Sequence, residues 1–387
     1  MSKNNFEKEY FEKFGYEAFG PILLNFSKWL YNQCKKKKIK NIYFLSRDGY
    51  ILKRAFDSLN FENIETFYLY ASRRAVIVPS LNKLKKAADI FENITFGNKI
   101  KMKHFIKKVG LEDFDLSNII SKYNINTNEE ISIEEFKIKY QQFLKEIFPI
   151  IVKNSTEEEK NMHSYLKENK FNGKVAIVDI GWYGTMQEAL EKINCNTEIH
   201  GFYLGVYPYK KFKNPARFNG FIFSHDHDQN LYEKFRNFIQ IFEFMTLSRE
   251  GSLKKYLKSN KLEFYEFEYK NKKESVYADY IQESAIRYVV NNQNYQQNSN
   301  IKSVQKFISV CAKPKIIDAK IIGNINFMDN ETKRLVSYNG IKKYIFSPKK
   351  LVYDLNNSVW KIGFLKLLFK INLPYASMVN YLRKLKD

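Results

Sequence analysis

Short apolar runs that alternate with helical stretches constrain the fold of this 387-residue chain more than any other feature. Residues 41–45, 65–70, 174–179 and 200–206 are apolar runs of strand length. The first and third are each followed by a turn and then by a stretch with helical periodicity. Strand, turn, helix and strand is the pattern of a parallel sheet with helical crossovers. The sequence therefore predicts an α/β fold.

The stretch between the second and third apolar runs has a different character. Residues 80–170 are charged and helix-patterned, and no convincing strand is visible there. Ser132 and Glu135 have the spacing of a capping box at a helix start. We interpret this stretch as a large helical insertion. The predicted organisation is an α/β core of residues 1–79 and 171–230, the insertion at 80–170, and a mostly helical or mixed C-terminal region at 231–387.

Charge and cysteine usage limit the class of protein. Lys and Arg number 64 against 42 Asp and Glu, a formal charge of +22. This surplus favours anionic partners, although lysines spread along a chain also occur simply as solvated surface residues. No nucleic-acid motif is visible, so we expect no nucleic-acid partner. Cys34, Cys195 and Cys311 have no paired spacing, which argues against a disulfide scaffold or a zinc cluster.

Neither the start nor the rest of the sequence predicts membrane insertion. The first residues lack the apolar stretch of a signal peptide, and no apolar run reaches transmembrane length. We therefore expect a cytoplasmic protein, at most peripheral to the inner face of the membrane. Residues 360–371 interleave aromatic residues with lysines. This segment fits either a helix lying on a membrane surface or a helix packed against the domain.

The segment 175–185 has the composition of an anion-binding loop. An apolar strand ends in Asp179, a loop with Gly181 and Gly184 follows, and Thr185 begins a helical stretch. Backbone N–H groups in such a loop converge on an anion, and the helix N-terminus adds a favourable field. Asp179 at the strand tip could accept hydrogen bonds from sugar hydroxyls. One short segment could therefore bind a phosphate and a ribose together.

A second loop at the same predicted sheet edge carries cations. Arg47 and Gly49 follow the first strand, and Arg73 and Arg74 follow the second. The guanidinium group suits phosphate because its donors form a fork. Arg73 and Arg74 could equally be structural ion-pair partners.

The two loops resemble those of type I phosphoribosyltransferases, which use phosphoribosyl pyrophosphate (PRPP). The resemblance implies that Asp179 faces the ribose hydroxyls and that Gly181, Tyr183, Gly184 and Thr185 surround the 5-phosphate. It also implies that Ser46, Arg47 and Gly49 contact the pyrophosphate. That family usually has two adjacent acids at the strand tip, whereas Ile180 occupies the second position here.

More narrowly, the chain resembles glycosyl phosphoribosyltransferases of bacterial surface-polysaccharide biosynthesis. The segments Leu45-Ser-Arg-Asp-Gly49, Ala71-Ser-Arg-Arg74 and Asp179-Ile-Gly-Trp-Tyr-Gly184 carry this resemblance. It implies transfer of 5-phosphoribose from PRPP, bound with Mg²⁺, to a sugar hydroxyl of an O-antigen or capsule glycan on a lipid carrier. A separate phosphatase would then remove the phosphate. In-line attack predicts a β-linked product.

An acceptor hydroxyl is a poor nucleophile, so a carboxylate base is expected. Asp48 is the first candidate because it neighbours the leaving-group site, although it could instead cap the following helix. Glu243 is the second, although a carboxylate in an apolar helix is more often a buried, paired group. Trp182 could stack on the acceptor sugar or belong to the core.

Two other functions stay open. A phosphatase of the haloacid dehalogenase type also places an Asp at a strand tip, but it needs a second acid at the position of Gly181. A basic, non-enzymatic scaffold for polysaccharide assembly is the other alternative.

Overall fold

The computed structural model of the chain describes residues 3–194, 196–294, 300–328 and 332–384. Cys195 lies outside the described residues. The strands are β1 Asn41–Leu45, β2 Glu65–Leu69, β3 Lys99–Lys101, β4 Glu130–Ser132, β5 Lys174–Trp182, β6 Glu198–Val206, β7 Phe218–Phe223, β8 Leu253–Tyr256, β9 Leu262–Phe264, β10 Asn326–Met328 and β11 Thr332–Arg334.

Helices make up more than half of the structure. They are α1 Lys3–Phe14, α2 Gly20–Lys37, α3 Gly49–Asp57, α4 Arg73–Ile77, α5 Ile90–Asn93, α6 Met102–Lys108, α7 Ser117–Lys122, α8 Ile133–Lys139, α9 Gln141–Glu168, α10 Thr185–Ile193, α11 Gln229–Phe235, α12 Ile239–Met245, α13 Lys273–Asn291, α14 Asn300–Ala312, α15 Ile316–Ile321, α16 Ile341–Phe346, α17 Pro348–Asn357, α18 Lys361–Phe369 and α19 Tyr375–Lys384.

A five-stranded parallel sheet organises the chain, in the order β2-β1-β5-β6-β7. The predicted α/β class is confirmed, and four of the five strands coincide with the predicted apolar runs. Sequence reasoning missed β7. The next strand in the sequence, β2, pairs with β1 on one side, whereas β5 and the later strands are added on the other side of β1. The direction in which strands are added therefore changes between β1 and β5. In open parallel sheets, such a switch point leaves a crevice at the carboxyl ends of its two strands.

Both faces of the sheet are covered, so its strands are apolar on both sides. On β5, Ala176, Val178 and Ile180 belong to a core shared with α1, α2, α3 and α13. The alternate residues Val175 and Ile177 belong to a second core shared with α4, α10 and the end of α9. This arrangement is a three-layer helix–sheet–helix sandwich.

The first helices form a continuous rod on one face of the sheet. The predicted helix at 20–36 is present as α2, but it is preceded without a break by α1 and a π-helical turn at Gly15–Phe19. Gly15 is required there, because a Cβ would lie 2.1 Å from the Ile281 carbonyl oxygen of α13. The lysine run ends α2, where cations suit the negative end of the helix dipole, and Lys38 adopts a left-handed conformation.

The insertion has its own hydrophobic core and is not purely helical. Phe105, Phe136 and Phe143 are fully buried in a cluster separate from both sheet cores. The expectation that this stretch contains no strand is wrong, because β3 and β4 form a short antiparallel hairpin. Three-residue strands are too short to produce a recognisable alternation in the sequence. The Ser132 hydroxyl accepts the Glu135 N–H at 3.1 Å, as the helix start predicted there requires.

The C-terminal region is mixed and partly joins the core. The β8–β9 hairpin packs Leu253 and Tyr256 against the second sheet core, so residues 231–264 are not simply helical. In α18, Ile362 and Phe364 are fully buried, as is Trp360 just before it. The first half of α18 is therefore packed against the domain, whereas Phe369 and Ile371 at the end of the 360–371 segment are exposed. Within the described ranges, no helix is both long and apolar enough to span a membrane.

We expect Gly181→Ala to lower the free energy of unfolding by about 1–3 kcal/mol more than Gly340→Ala does. Both glycines have a positive φ, 104° and 99°, so a side chain is strained at either position. Only at Gly181 would the Cβ meet backbone, 2.4 Å from the Gly205 carbonyl oxygen, whereas nothing lies within 4 Å at Gly340. Urea denaturation of the two variants measures the difference, and equal losses would contradict the close approach of β5 and β6.

Candidate active site

Most of the predicted site residues lie on the loops and strand ends around the switch point between β1 and β5. The two strands are adjacent in the sheet although about 130 residues separate them along the chain. The loop after β1 and the end of β5 therefore share one carboxyl edge. This edge is where ligands bind in open parallel sheets.

Asp48 is held by a residue from a distant helix. Its backbone is helical and its side chain makes no capping hydrogen bond to α3, so the capping alternative is not supported. Instead, Oδ1 lies 3.1 Å from the hydroxyl of Thr246, which follows α12. The same hydroxyl lies 3.0 Å from the Glu243 carbonyl oxygen, so its single proton is shared between two acceptors. Burial raises the pKa of Asp48, while Arg47 and the Thr246 hydrogen bond counteract this effect.

Asp179 is a buried carboxyl beside Asp48. It lies near the end of β5, and its Oδ1 accepts the Ile180 backbone N–H at 2.9 Å. Burial, followed by the negative charge of Asp48, raises the pKa of Asp179 to about 8. Arg73 acts in the opposite direction. Two carboxyls that disfavour each other's ionisation tend to retain one proton between them until a cation approaches.

Glu243 belongs to the same cluster but is already engaged. The Trp182 Nε1–H donates to Glu243 Oε1 at 3.1 Å, and the charge of Glu243 contributes to the raised pKa of Asp179. Trp182 is buried and stacks on Phe223 with ring centroids 5.8 Å apart. Of the two interpretations of Trp182, the structure supports the core residue. Glu243 is a half-buried, paired carboxylate, the commoner of its two alternatives.

Arg47 extends from a strained loop at the end of β1. Its φ of 70° is unusual for a residue with a side chain. Its N–H donates to the Tyr68 hydroxyl at 2.8 Å, and that hydroxyl in turn donates to Glu250. The guanidinium forms a partly exposed salt bridge to Glu268, with a nitrogen–oxygen distance of 3.4 Å. Such a long, exposed pair is weak, so an incoming phosphate could replace Glu268.

The two consecutive arginines have different environments. The Arg73 side chain is exposed, and its positive charge lowers the pKa of both Asp48 and Asp179. Arg74 points into the protein, where it forms salt bridges with Glu112 and Glu158 of the insertion. Arg74 is thus the ion-pair partner that the sequence left as an alternative. Arg73 is the one of the two arginines whose charge acts on the carboxyl pair.

Ser46 and Gly49 shape the first loop. The Ser46 hydroxyl donates to the Ala71 carbonyl oxygen at 2.8 Å and accepts the Ala71 N–H at 3.1 Å. This hydroxyl therefore joins the ends of β1 and β2 and is not free for a ligand. At Gly49, a Cβ would lie 3.0 Å from the Phe44 carbonyl carbon. The glycine lets α3 begin tightly against β1, with its first-turn N–H groups at the sheet edge.

The second loop is shorter than the sequence suggested. The expected turn at 181–184 is partly strand, because Gly181 pairs with Gly205 and Trp182 pairs with Val206. Only Tyr183 and Gly184 connect β5 to α10, which begins at Thr185 as predicted. The absence of a Cβ at Gly181 allows the strand to continue where the composition predicted a turn.

Tyrosines surround this connection on the exposed side. Tyr183 is half exposed, and its ring lies 5.0 Å from that of Tyr207. Tyr207 also contacts Tyr209 and Tyr232 edge-on. Lys210 Nζ donates to the Tyr183 carbonyl oxygen at 2.7 Å, which fixes the loop. The aromatic residue presented at this edge is therefore Tyr183 and not Trp182.

Several residues around the site were not identified from the sequence. Thr246, Tyr68 and Glu268 contact predicted site residues, and Glu250 is bonded to Tyr68. None of them lies in a recognisable motif, and three come from the segment after β7. Tyr68 is part of β2, whereas tertiary packing of the segment after β7 brings Thr246, Glu250 and Glu268 to the sheet edge.

The carboxyl pair fits a magnesium ion that arrives with its ligand. Among the described residues, no group of three or more His, Cys, Asp or Glu side chains is arranged to hold a metal ion. Mg²⁺ commonly binds one or two carboxylates together with water and substrate phosphates. Asp48 and Asp179 supply that number of carboxylates. Asp179 would hold the ion together with the phosphates of a bound diphosphate, which leaves Asp48 free to accept a proton.

A lysine-lined cavity of about 430 Å³ lies apart from the predicted site residues. The insertion contributes Lys99, Lys101 and His104, and the C-terminal region contributes Lys333. Gln240, one helical turn before Glu243, also lines it. The cations give this cavity a positive potential that favours anions.

Comparison with known proteins does not assign the chain to a family. No protein-family model matches it. No curated protein sequence matches it significantly. The geometry of the site therefore carries the functional argument.

We expect Asp179→Asn to change the pH dependence of stability. The pKa of Asp179 is about 8 in the folded protein, whereas the pKa of an aspartate in an unfolded chain is about 3.9. Between these two pH values the folded protein keeps a proton that the unfolded chain has released. Wild-type stability therefore falls as pH rises through that window. Urea denaturation at pH 4 and near pH 8 measures the difference in free energy of unfolding between the variant and the wild type. We expect this difference to shift in favour of the variant by at least about 1 kcal/mol between pH 4 and pH 8. The exposed Asp228→Asn serves as control, and parallel pH profiles for wild type and Asp179→Asn would refute the raised pKa.

Proposed function

We propose that the chain transfers a 5-phosphoribosyl group from PRPP to a sugar hydroxyl of a bacterial glycan of the O-antigen or capsule type. The observation that best supports this function is the carboxyl pair Asp48–Asp179 at the switch point, with Arg47 and Arg73 beside it. Carboxylates can accept hydrogen bonds from ribose hydroxyls and stabilise a positive charge that develops on the ribose ring. Cations stabilise the negative charge of a pyrophosphate leaving group.

The donor would span the two loops. Pyrophosphate would lie against Arg47 and the first turn of α3, where it would displace Glu268 from its salt bridge. Asp179 would accept hydrogen bonds from the ribose hydroxyls. The 5-phosphate would lie against the backbone N–H groups of Tyr183 and Gly184 and the start of α10, a nine-residue helix, so the Tyr183 ring stays available to the acceptor.

The reaction would be a single displacement at C1 of the ribose. The acceptor oxygen forms a bond to C1 as the bond from C1 to the pyrophosphate oxygen breaks, and the hydroxyl proton moves to a carboxylate. Arg47 and Arg73 stabilise the charge that builds on the leaving group. Bound Mg²⁺ supplies further charge stabilisation for the leaving pyrophosphate. Attack opposite the leaving group on an α-configured donor gives a β-linked product.

Asp48 is the proposed general base. One of its oxygens is fixed by Thr246, and its raised pKa makes it a better proton acceptor than an exposed aspartate. Glu243 is less suited to this role because it accepts the Trp182 indole N–H. It lies close enough to influence Asp179 and is the reserve candidate.

The acceptor would approach from the tyrosine side. Tyr183 and Tyr207 present an aromatic surface beside the loop, and aromatic faces suit the apolar faces of sugar rings. A glycan on a lipid carrier would bring its terminal sugar to this surface. The product would keep its 5-phosphate, so a separate phosphatase would be needed to leave ribofuranose in the glycan.

We expect Asp48→Asn to reduce turnover with PRPP, Mg²⁺ and a glycan acceptor by about 10²–10⁴-fold. Asparagine can still accept the Thr246 hydrogen bond but cannot take the proton, so PRPP affinity should change little. Pyrophosphate release measures turnover, and isothermal titration measures PRPP affinity. The surface variant Asp228→Asn should match wild type. Full activity of Asp48→Asn would exclude this residue as the base.

The same assay separates the alternative functions. Release of inorganic phosphate from sugar phosphates, without pyrophosphate formation from PRPP, would favour a phosphatase of the haloacid dehalogenase type. A non-enzymatic scaffold would show no turnover. The Arg47→Ala and Asp179→Asn substitutions would also leave any binding of PRPP by such a scaffold unchanged.

We expect Tyr183→Ala to raise the KM for a soluble glycan acceptor about tenfold, with the KM for PRPP nearly unchanged. Loss of one aromatic contact worth about 1 kcal/mol or slightly more accounts for this change. Phe114→Ala, which removes an exposed aromatic ring from the insertion, is the control. An increase confined to the KM for PRPP would instead place Tyr183 on the donor side.

A further inference from the structure

The C-terminal segment is strongly cationic. Residues 332–384 contain eleven lysines and arginines and one acidic residue, Asp354. Asp354 is buried, and it accepts hydrogen bonds from Tyr344 and Asn339 and pairs with Lys350 at 3.4 Å. The exposed surface of this segment therefore has cations without exposed carboxylates of its own.

The same segment exposes large apolar side chains where α16 meets α17. Phe346 is 88% exposed, Ile345 68%, Tyr353 65% and Val352 58%. Isolated exposed apolar residues are ordinary, but a contiguous group of them marks an interaction surface. We call these four residues, together with the exposed Lys342, Lys343 and Lys349, the α16–α17 corner.

Local geometry explains why these side chains point outward together. One residue, Ser347, separates α16 from α17, so Ile345 and Phe346 lie next to the start of α17. On α17, positions 349, 352, 353 and 356 follow helical spacing and form one exposed face. Asp354 and Tyr344 are turned inward and bonded to each other. The fold thus anchors the corner by its polar residues and leaves its apolar residues in solvent.

The charge of the corner selects its partner. A second copy meeting the same face would bring the lysine groups of both copies together, which is unfavourable without carboxylates between them. An anionic lipid surface can interact with both the apolar side chains and the lysines of the corner. Aromatic and aliphatic side chains enter the boundary between headgroups and acyl chains, and lysines contact lipid phosphates.

We propose that the α16–α17 corner docks on an anionic lipid bilayer surface. Phe346 and Ile345 insert at the headgroup boundary, and Lys342, Lys343 and Lys349 contact lipid phosphates. The helix α18 is not part of this corner, because its apolar residues Ile362, Phe364 and Leu365 are buried in the protein. This docking is independent of the proposed catalytic function, although it would bring the enzyme to a lipid-borne acceptor.

Co-sedimentation of the full chain with lipid vesicles tests the proposal. We expect binding to vesicles of phosphatidylcholine mixed with phosphatidylglycerol, weakening with salt, and much weaker binding to phosphatidylcholine alone. Ile345→Ser with Phe346→Ser should reduce affinity at least tenfold. Lys342→Glu with Lys343→Glu should reduce it by a similar factor.

Ile138 provides the matched control, because it is 81% exposed and lies on the insertion. Ile138→Ser with Lys145→Glu should leave vesicle binding unchanged. Thermal denaturation of each variant verifies that it is folded. Absence of binding by the wild type, or equal losses in the control and corner variants, would overturn the proposal. So would a wild-type dimer in size-exclusion chromatography that the Ile345→Ser, Phe346→Ser variant dissociates while vesicle binding stays the same.

Discussion

The pairing of β1 with β5 is the constraint on which the rest of the structure depends. The two strands are hydrogen-bonded neighbours, although the insertion and β2 lie between them in the sequence. This pairing places the switch point of the sheet between them. It brings the Arg47–Asp48 loop beside Asp179, where the negative charge of Asp48 adds to burial in raising the pKa of Asp179. A different strand order would place these groups in unrelated positions.

The segments outside the sheet contribute to the site by holding it. Thr246, after α12, fixes Asp48, while Glu268 and Glu250 connect to the Arg47 loop directly and through Tyr68. The insertion is joined to the same region through Arg74, whose guanidinium binds Glu112 and Glu158. Buried pairs of this kind are costly to break, so Arg74 fixes the insertion against α4. Its neighbour Arg73 remains exposed, and its charge acts on the carboxyl pair.

The sequence predicted the parts of the fold that depend on local pattern. Apolar runs located β1, β2, β5 and β6, since buried parallel strands are apolar on both faces. Pattern alone did not identify β7 in Phe218–Phe223, or the three-residue strands of the insertion. The end of β5 was placed too early, because glycine composition signals a turn whereas Gly181 in fact permits close strand contact. The partners of Asp48 and Arg47 depend on long-range packing and leave no local pattern. Arg73 and Arg74 are adjacent in sequence, so only the structure separates their roles.

A crystal structure of the chain with PRPP and Mg²⁺ would show whether the proposed donor spans the switch point. We expect pyrophosphate against Arg47 and the start of α3, ribose hydroxyls at Asp179, and the 5-phosphate beside the backbone of Tyr183, Gly184 and Thr185. Density for PRPP only in the lysine-lined cavity between Lys101 and Lys333, with the carboxyl pair unaltered, would contradict this placement.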